Sequence, residues 1–134
     1  MQKIKLSGKE YGLYYSTKAM LDIEKRCGDI AEIKEWLSSG TKGETFRKLA
    51  EVITDLINGE VFRHNSDIAL GLCDGEKLPY MDEENVINIM SPADIRKYEN
   101  AVFSSIVEGM KVDFPEGIDE PDPDLADVES EKNA

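Results

Sequence analysis

The chain is poor in the residues that most often carry chemistry. It has one histidine, His64, two cysteines, Cys27 and Cys73, and one tryptophan, Trp36. A single histidine excludes most histidine-based metal sites and leaves a Ser-His-Asp triad without support. No His-Glu-x-x-His spacing occurs, and His64 has no ligand-like spacing to either cysteine. The cysteines do not form Cys-x-x-Cys, so they are expected to be reduced, mostly buried thiols of a cytosolic protein. No apolar h-region follows Met1, and no run approaches the ~18 apolar residues that a membrane span requires. Bases are scarce as well. Sixteen Lys and Arg face 28 Asp and Glu, for a net charge of -12. Such a chain is repelled by phosphate backbones and by anionic lipid surfaces, which argues against nucleic acid and against membranes as partners.

The acid excess is uneven. Residues 115–134 hold eight acids and one base, Lys132, or about -7, while residues 1–114 hold about -5. The same stretch contains Pro115, Pro121 and Pro123, three of the five prolines. It cannot bury enough apolar surface to offset its ordering entropy, so a disordered acidic tail is expected there. Within it Leu125 and Val128 stand three apart, and Asp124 could cap a single helical turn. The plain reading is a solubilising tail; the sharper one is a short linear motif that folds onto a partner.

What is present is patterned. Ile4 and Leu6, then Tyr11, Leu13 and Tyr15, alternate around Ser7-Gly8, which predicts a β-hairpin. The period then switches. Ala19, Met20, Ile23 and Cys27 predict a helix from Thr17 to Cys27, capped by Ser16 or Thr17 and closed by Gly28. Asp29 with Glu32 reads as a capping box for a short helix to Ser38, with Ile30, Ile33 and Leu37 apolar. Thr41 with Glu44 repeats the box before a long helix from Lys42 to His64. Its stripe runs from Phe46 through Leu49, Ile53, Leu56 and Ile57 to Val61; Gly59 is a candidate kink and Asn65 a candidate terminator. Further short helices are expected at Asp67–Cys73 and Asp82–Met90. Ser91-Pro92-Ala93-Asp94 opens a last helix, to about Met110. The sum is one mainly α domain over residues 1–114, an N-terminal β-hairpin followed by about five helices, with the acidic tail at 115–134.

Nothing in this pattern needs an enzyme. Gly40-Thr-Lys-Gly-Glu-Thr45 lacks the spacing of a phosphate-binding loop, and Asp74-Gly75-Glu76 lacks that of a calcium loop. No catalytic, cofactor or metal residue is nominated. The candidates for partner binding are Trp36, beside the Ile33/Leu37 stripe, Phe62 near the end of the long helix, and Leu125 and Val128 in the tail. For Trp36 the competing reading is core packing with the indole N–H satisfied at the rim.

The opening run Lys3-Ile-Lys-Leu-Ser-Gly-Lys-Glu-Tyr-Gly-Leu-Tyr-Tyr15 leads directly into Ser16-Thr-Lys-Ala-Met-Leu-Asp-Ile-Glu-Lys-Arg-Cys-Gly28. Together with the short helix and the apolar-striped helix that follow, it resembles the tail assembly chaperones of long-tailed bacteriophages and prophages of Gram-positive hosts. The resemblance spans roughly residues 3–111. It implies a small, helical, non-enzymatic protein of the bacterial host cytoplasm, absent from the mature virion. Its implied partners are the tape measure protein and the tail tube protein, and self-association is compatible with it. The family offers no motif of functional residues to carry over. An acidic regulatory or inhibitor module, such as a DNA mimic, is the alternative; such a mimic should spread its carboxylates over a folded face. A helix-turn-helix regulator would need a basic recognition helix, and none is present.

Overall fold

Ile4, Leu6 and Leu13 are buried while Lys3, Lys5 and Glu10 are exposed, the alternation of a sheet with one face on a core. The computed structural model describes residues 1–111 and builds the hairpin from β1 (Gln2–Leu6) and β2 (Lys9–Leu13). The strands pair antiparallel, with Ile4 opposite Tyr11 and Leu6 opposite Lys9. Ser7 and Gly8 both take positive φ, 52° and 81°. That is the type I′ turn whose twist matches the strands.

Five α-helices follow: α1 (Thr17–Cys27), α2 (Ile33–Ser38), α3 (Lys42–Ala69), α4 (Glu83–Ile89) and α5 (Ile95–Gly109). Most of the starts are capped as their sequences require. Ser16 accepts from the Ala19 N–H at 3.1 Å, and Asp82 from that of Asn85 at 2.9 Å. Thr41 and Glu44 form a complete capping box, with bonds of 3.2 and 2.7 Å. The long helix α3 is the axis of the body. The strand β2 and the helices α1, α2, α4 and α5 all pack on it, and α5 also backs β1. Accordingly Leu49, Ala50, Val52, Ile53, Leu56 and Ile57 are buried around much of its circumference.

Several details depart from the expectations. The predicted box at Asp29 does not close. Asp29 instead accepts from Ala31 N–H at 3.0 Å and starts a 3-10 turn, Ile30–Glu32, ahead of α2. Ser91 makes no side-chain cap. A 3-10 turn at Pro92–Asp94 precedes α5, and the Ser91 N–H donates to the Tyr98 hydroxyl at 2.7 Å. The largest difference concerns α3, which passes through Gly59 and Asn65 and ends at Ala69. No separate helix forms at Asp67–Cys73. Gly71, at φ 75°, is the true stop. The Leu72 N–H reaches the Asp67 carbonyl at 2.8 Å and the Gly71 N–H reaches that of Ile68 at 3.0 Å, a Schellman closure. The thiols also differ, since Cys73 is exposed and Cys27 half-buried, both free. The expected tail at 115–134 lies outside the described residues.

Candidate functional site

The segment between α3 and α4, residues 70–82, is irregular yet held in place. Asn58 and Asn65 stand seven apart, two turns of one helix face. Each clasps a residue of this segment in both directions. Asn58 donates to the Met81 carbonyl at 3.0 Å and accepts from its N–H at 2.8 Å. Asn65 does the same to Leu78, at 3.0 and 2.8 Å. His64 Nε2 adds a contact of 3.1 Å to the Glu76 carbonyl. These bonds satisfy a backbone that lacks a secondary-structure partner. They also explain why Asn65 does not end the helix: its side chain is committed to another strand of chain.

This strap presents apolar side chains outward. Leu70 and Leu72 are 72% and 71% exposed, and Tyr80 is 57% exposed. Beside Tyr80 runs a groove of about 630 Å³ between the start of α1 and the middle of α3, lined by Ser16, Ala19, Asn58, Gly59, Phe62 and Tyr80 among others. Phe62 is 63% exposed on its wall. Gly59 brings α3 close to the strand exit. A Cβ there would lie 2.5 Å from the Tyr14 carbonyl oxygen, whose residue also donates its N–H to Leu56 at 3.0 Å. The sequence candidate Phe62 is therefore joined by Tyr80, which its pattern did not mark.

Charges bound one end of the groove. The Arg26 guanidinium on α1 donates to Asp55 on α3, and lies 3.6 Å from Glu51 and 3.4 Å from Glu83 of α4. It thus ties three helices together. Burial raises the Asp55 carboxyl above the usual aspartate range, against the lowering effect of Arg26. Asp22, on the groove wall, is paired with Lys18 at 2.9 Å.

The other candidates fall elsewhere. Trp36 is half-buried against the core, away from the groove lining. Lys48 Nζ sits 5.4 Å over its ring and 2.8 Å from its carbonyl oxygen, linking α2 to α3. Leu125 and Val128 lie outside the described residues. Burial, with Glu24 and Asp29 nearby, pushes the Cys27 thiol up, opposite to the shift that produces a reactive thiolate. Among the described residues no group of three His, Cys, Asp or Glu is placed to hold a metal ion, and no helix is long and apolar enough to cross a membrane. No protein-family model, curated protein or solved structure matches the chain.

Proposed function

We propose that this protein is a tail assembly chaperone of a long-tailed bacteriophage or prophage. In this reading it is a non-enzymatic holdase of the bacterial host cytoplasm that binds the tape measure protein, and with it the tail tube protein, before the tube closes. The observation that carries the reading is the apolar groove walled by Phe62 and Tyr80, with Leu70 and Leu72 also exposed on the segment that follows α3. A tape measure chain is long and helix-rich, with apolar stripes that stay uncovered until the tube encloses them. A groove between two helices takes such a stripe by helix-in-groove packing. Large apolar side chains exposed on a groove wall suit an interaction surface. The net charge keeps the complex soluble. The order of hairpin and helices supports the same assignment through the sequence resemblance.

The test is co-expression with the tape measure protein encoded beside it. The tape measure protein should remain soluble and co-purify. Phe62→Glu combined with Tyr80→Glu should abolish co-purification and leave the circular dichroism spectrum and melting temperature unchanged. Recovery of a DNA-binding protein in place of the tape measure protein would overturn the proposal in favour of an acidic inhibitor.

A further inference from the structure

Lys3 and Lys5 are exposed on β1, and the turn also leaves their backbone groups open. Leu6 and Lys9 flank the two-residue loop Ser7-Gly8, so they form a hydrogen-bonded pair. By alternation Leu6, Ile4 and Gln2 aim their N–H and C=O groups at β2, and Lys3 and Lys5 aim theirs away. The sheet has two strands, and among the described residues nothing pairs with that outer edge.

A groove of about 570 Å³ runs along this edge, walled on its other side by the link between α4 and α5 and by α5. Its charged lining is Lys3, Lys5 and Lys97 against Asp94. Lys97 lies 3.8 Å from Asp94, so the unmatched charge is on Lys3 and Lys5. Glu10 stands opposite Lys5 across the hairpin, and among the described residues neither Lys3 nor Lys5 is in an ion pair. In a chain of net charge -12, this groove is locally cationic. Its apolar lining includes Ile4, Ile89 and Ala101.

We propose that the outer edge of β1 binds an extended acidic segment of a partner protein by strand addition. Open backbone groups supply the affinity in this mode, and alternate side chains supply the selectivity. An added antiparallel strand exchanges both backbone bonds with Lys3 and with Lys5. The residues opposite those two lysines project on the lysine face. The residue between them stands opposite Ile4 and projects on the face of Ile4, which is packed into the core. The occupant is therefore acid, apolar, acid, with its carboxylates beside Lys3 and Lys5. A β-branched residue such as valine suits the middle position.

Charge selects this occupant over a second copy of the chain. Pairing β1 with another β1 along this edge sets lysine opposite lysine, and like charges directly opposite are destabilising. Lysine on a strand edge ordinarily serves to deter such pairing. A deterrent that acts through charge turns away a cationic strand and admits an anionic one. The charges of the rest of the body act weakly here, because at physiological salt they are screened beyond about 8 Å. The hydrogen-bonded edge and the two unmatched lysines are independent observations, and both describe the same ligand.

The test is an NMR titration of the isotope-labelled full chain with the peptide acetyl-Val-Asp-Val-Asp-Val-amide. The Lys3 and Lys5 amide signals should shift, and that of Ile23 in the core should stay in place. The same peptide with lysine for aspartate should bind about tenfold more weakly, two opposite-charge pairs having become two repulsions. That order runs against the net charge of the chain, which favours the lysine peptide. Lys3→Glu combined with Lys5→Glu should reverse it. N-methylation of both aspartates removes the N–H groups that face β1 and should abolish binding, whereas N-methylation of the central valine should not. An absent shift at millimolar Asp peptide, equal binding of the lysine peptide, or unchanged binding after aspartate N-methylation would each overturn the proposal. Slow exchange of the Lys3 and Lys5 amides before any peptide is added would show the edge already paired by this chain, and would overturn it as well.

Discussion

Replacing Gly59 by alanine sets two effects of opposite sign against each other. In a helix interior, alanine is favoured over glycine by about 1 kcal/mol because it has less backbone freedom to lose. Read as a weak point of α3, Gly59 should therefore accept alanine with a gain. The tertiary structure predicts a loss. The new Cβ would sit 2.5 Å from the Tyr14 carbonyl oxygen and 3.2 Å from Ser16 Oγ. Ordinary contact begins at 3.4 Å, so the neighbour must retreat by almost an ångström. Retreat is resisted on both sides. The Tyr14 carbonyl accepts the Ser16 N–H at 3.0 Å, and the Tyr14 N–H donates to Leu56 at 3.0 Å. Overpacking of this kind costs about 1–3 kcal/mol, and weakening either hydrogen bond adds about 1 kcal/mol. After the helix gain is subtracted, the net is a loss of about 1–3 kcal/mol. At about 2–8 °C per kcal/mol, thermal unfolding followed by circular dichroism resolves it readily. Gly43→Ala is the control, because its Cβ meets only Thr41 Oγ1, at 3.9 Å. It should be neutral or raise the melting temperature slightly. A Gly59→Ala protein that melts as high as Gly43→Ala would refute the close approach.

The strap can be released without disturbing the core. Asn65→Ala removes two bonds to Leu78, and Asn58→Ala two bonds to Met81, so each should speed proteolytic cleavage between Leu70 and Tyr80 severalfold while global stability falls by about 1–3 kcal/mol. Limited proteolysis read by mass spectrometry checks the site of cleavage. The capping box carries a pH signature. The backbone and hydroxyl bonds of Thr41 hold the Glu44 carboxyl below the usual glutamate range. A folded pKa below the unfolded one means stability present above the unfolded value of about 4.3 and lost as pH falls through the folded value. The difference in melting temperature between wild type and Glu44→Gln should accordingly shrink below about pH 4; a difference constant down to pH 3 would remove the box from the account.

Helix starts were the most legible part of the chain because their signals are local. Ser16 and Thr41 each accept the N–H of a residue three positions on, as their local sequence predicts, whereas at Asp29 and Ser91 a 3-10 turn replaces the expected start. The hairpin was legible for the same reason, through its period of two and its Ser7-Gly8 turn. The end of α3 was not. Asn65 is a good terminator only while its side chain is free to turn on its own backbone, and here it is bonded to Leu78, thirteen residues away. The pair Asn58 and Asn65 at a two-turn interval was the available signal, but without a known partner segment such a pair reads as solvated surface. Tyr80 escaped for a similar reason, since an aromatic in an irregular stretch gains meaning only beside Phe62.

By itself the sequence determined the fold class, the caps at Ser16 and Thr41, the core stripe of α3 and the uneven split of charge along the chain. These follow from residue type and period, which act within a few positions. Only the tertiary structure decided that Gly59 is a point of close approach and that residues 70–82 lie strapped along α3. Those features depend on distances between segments far apart in the chain, and no local periodicity encodes them.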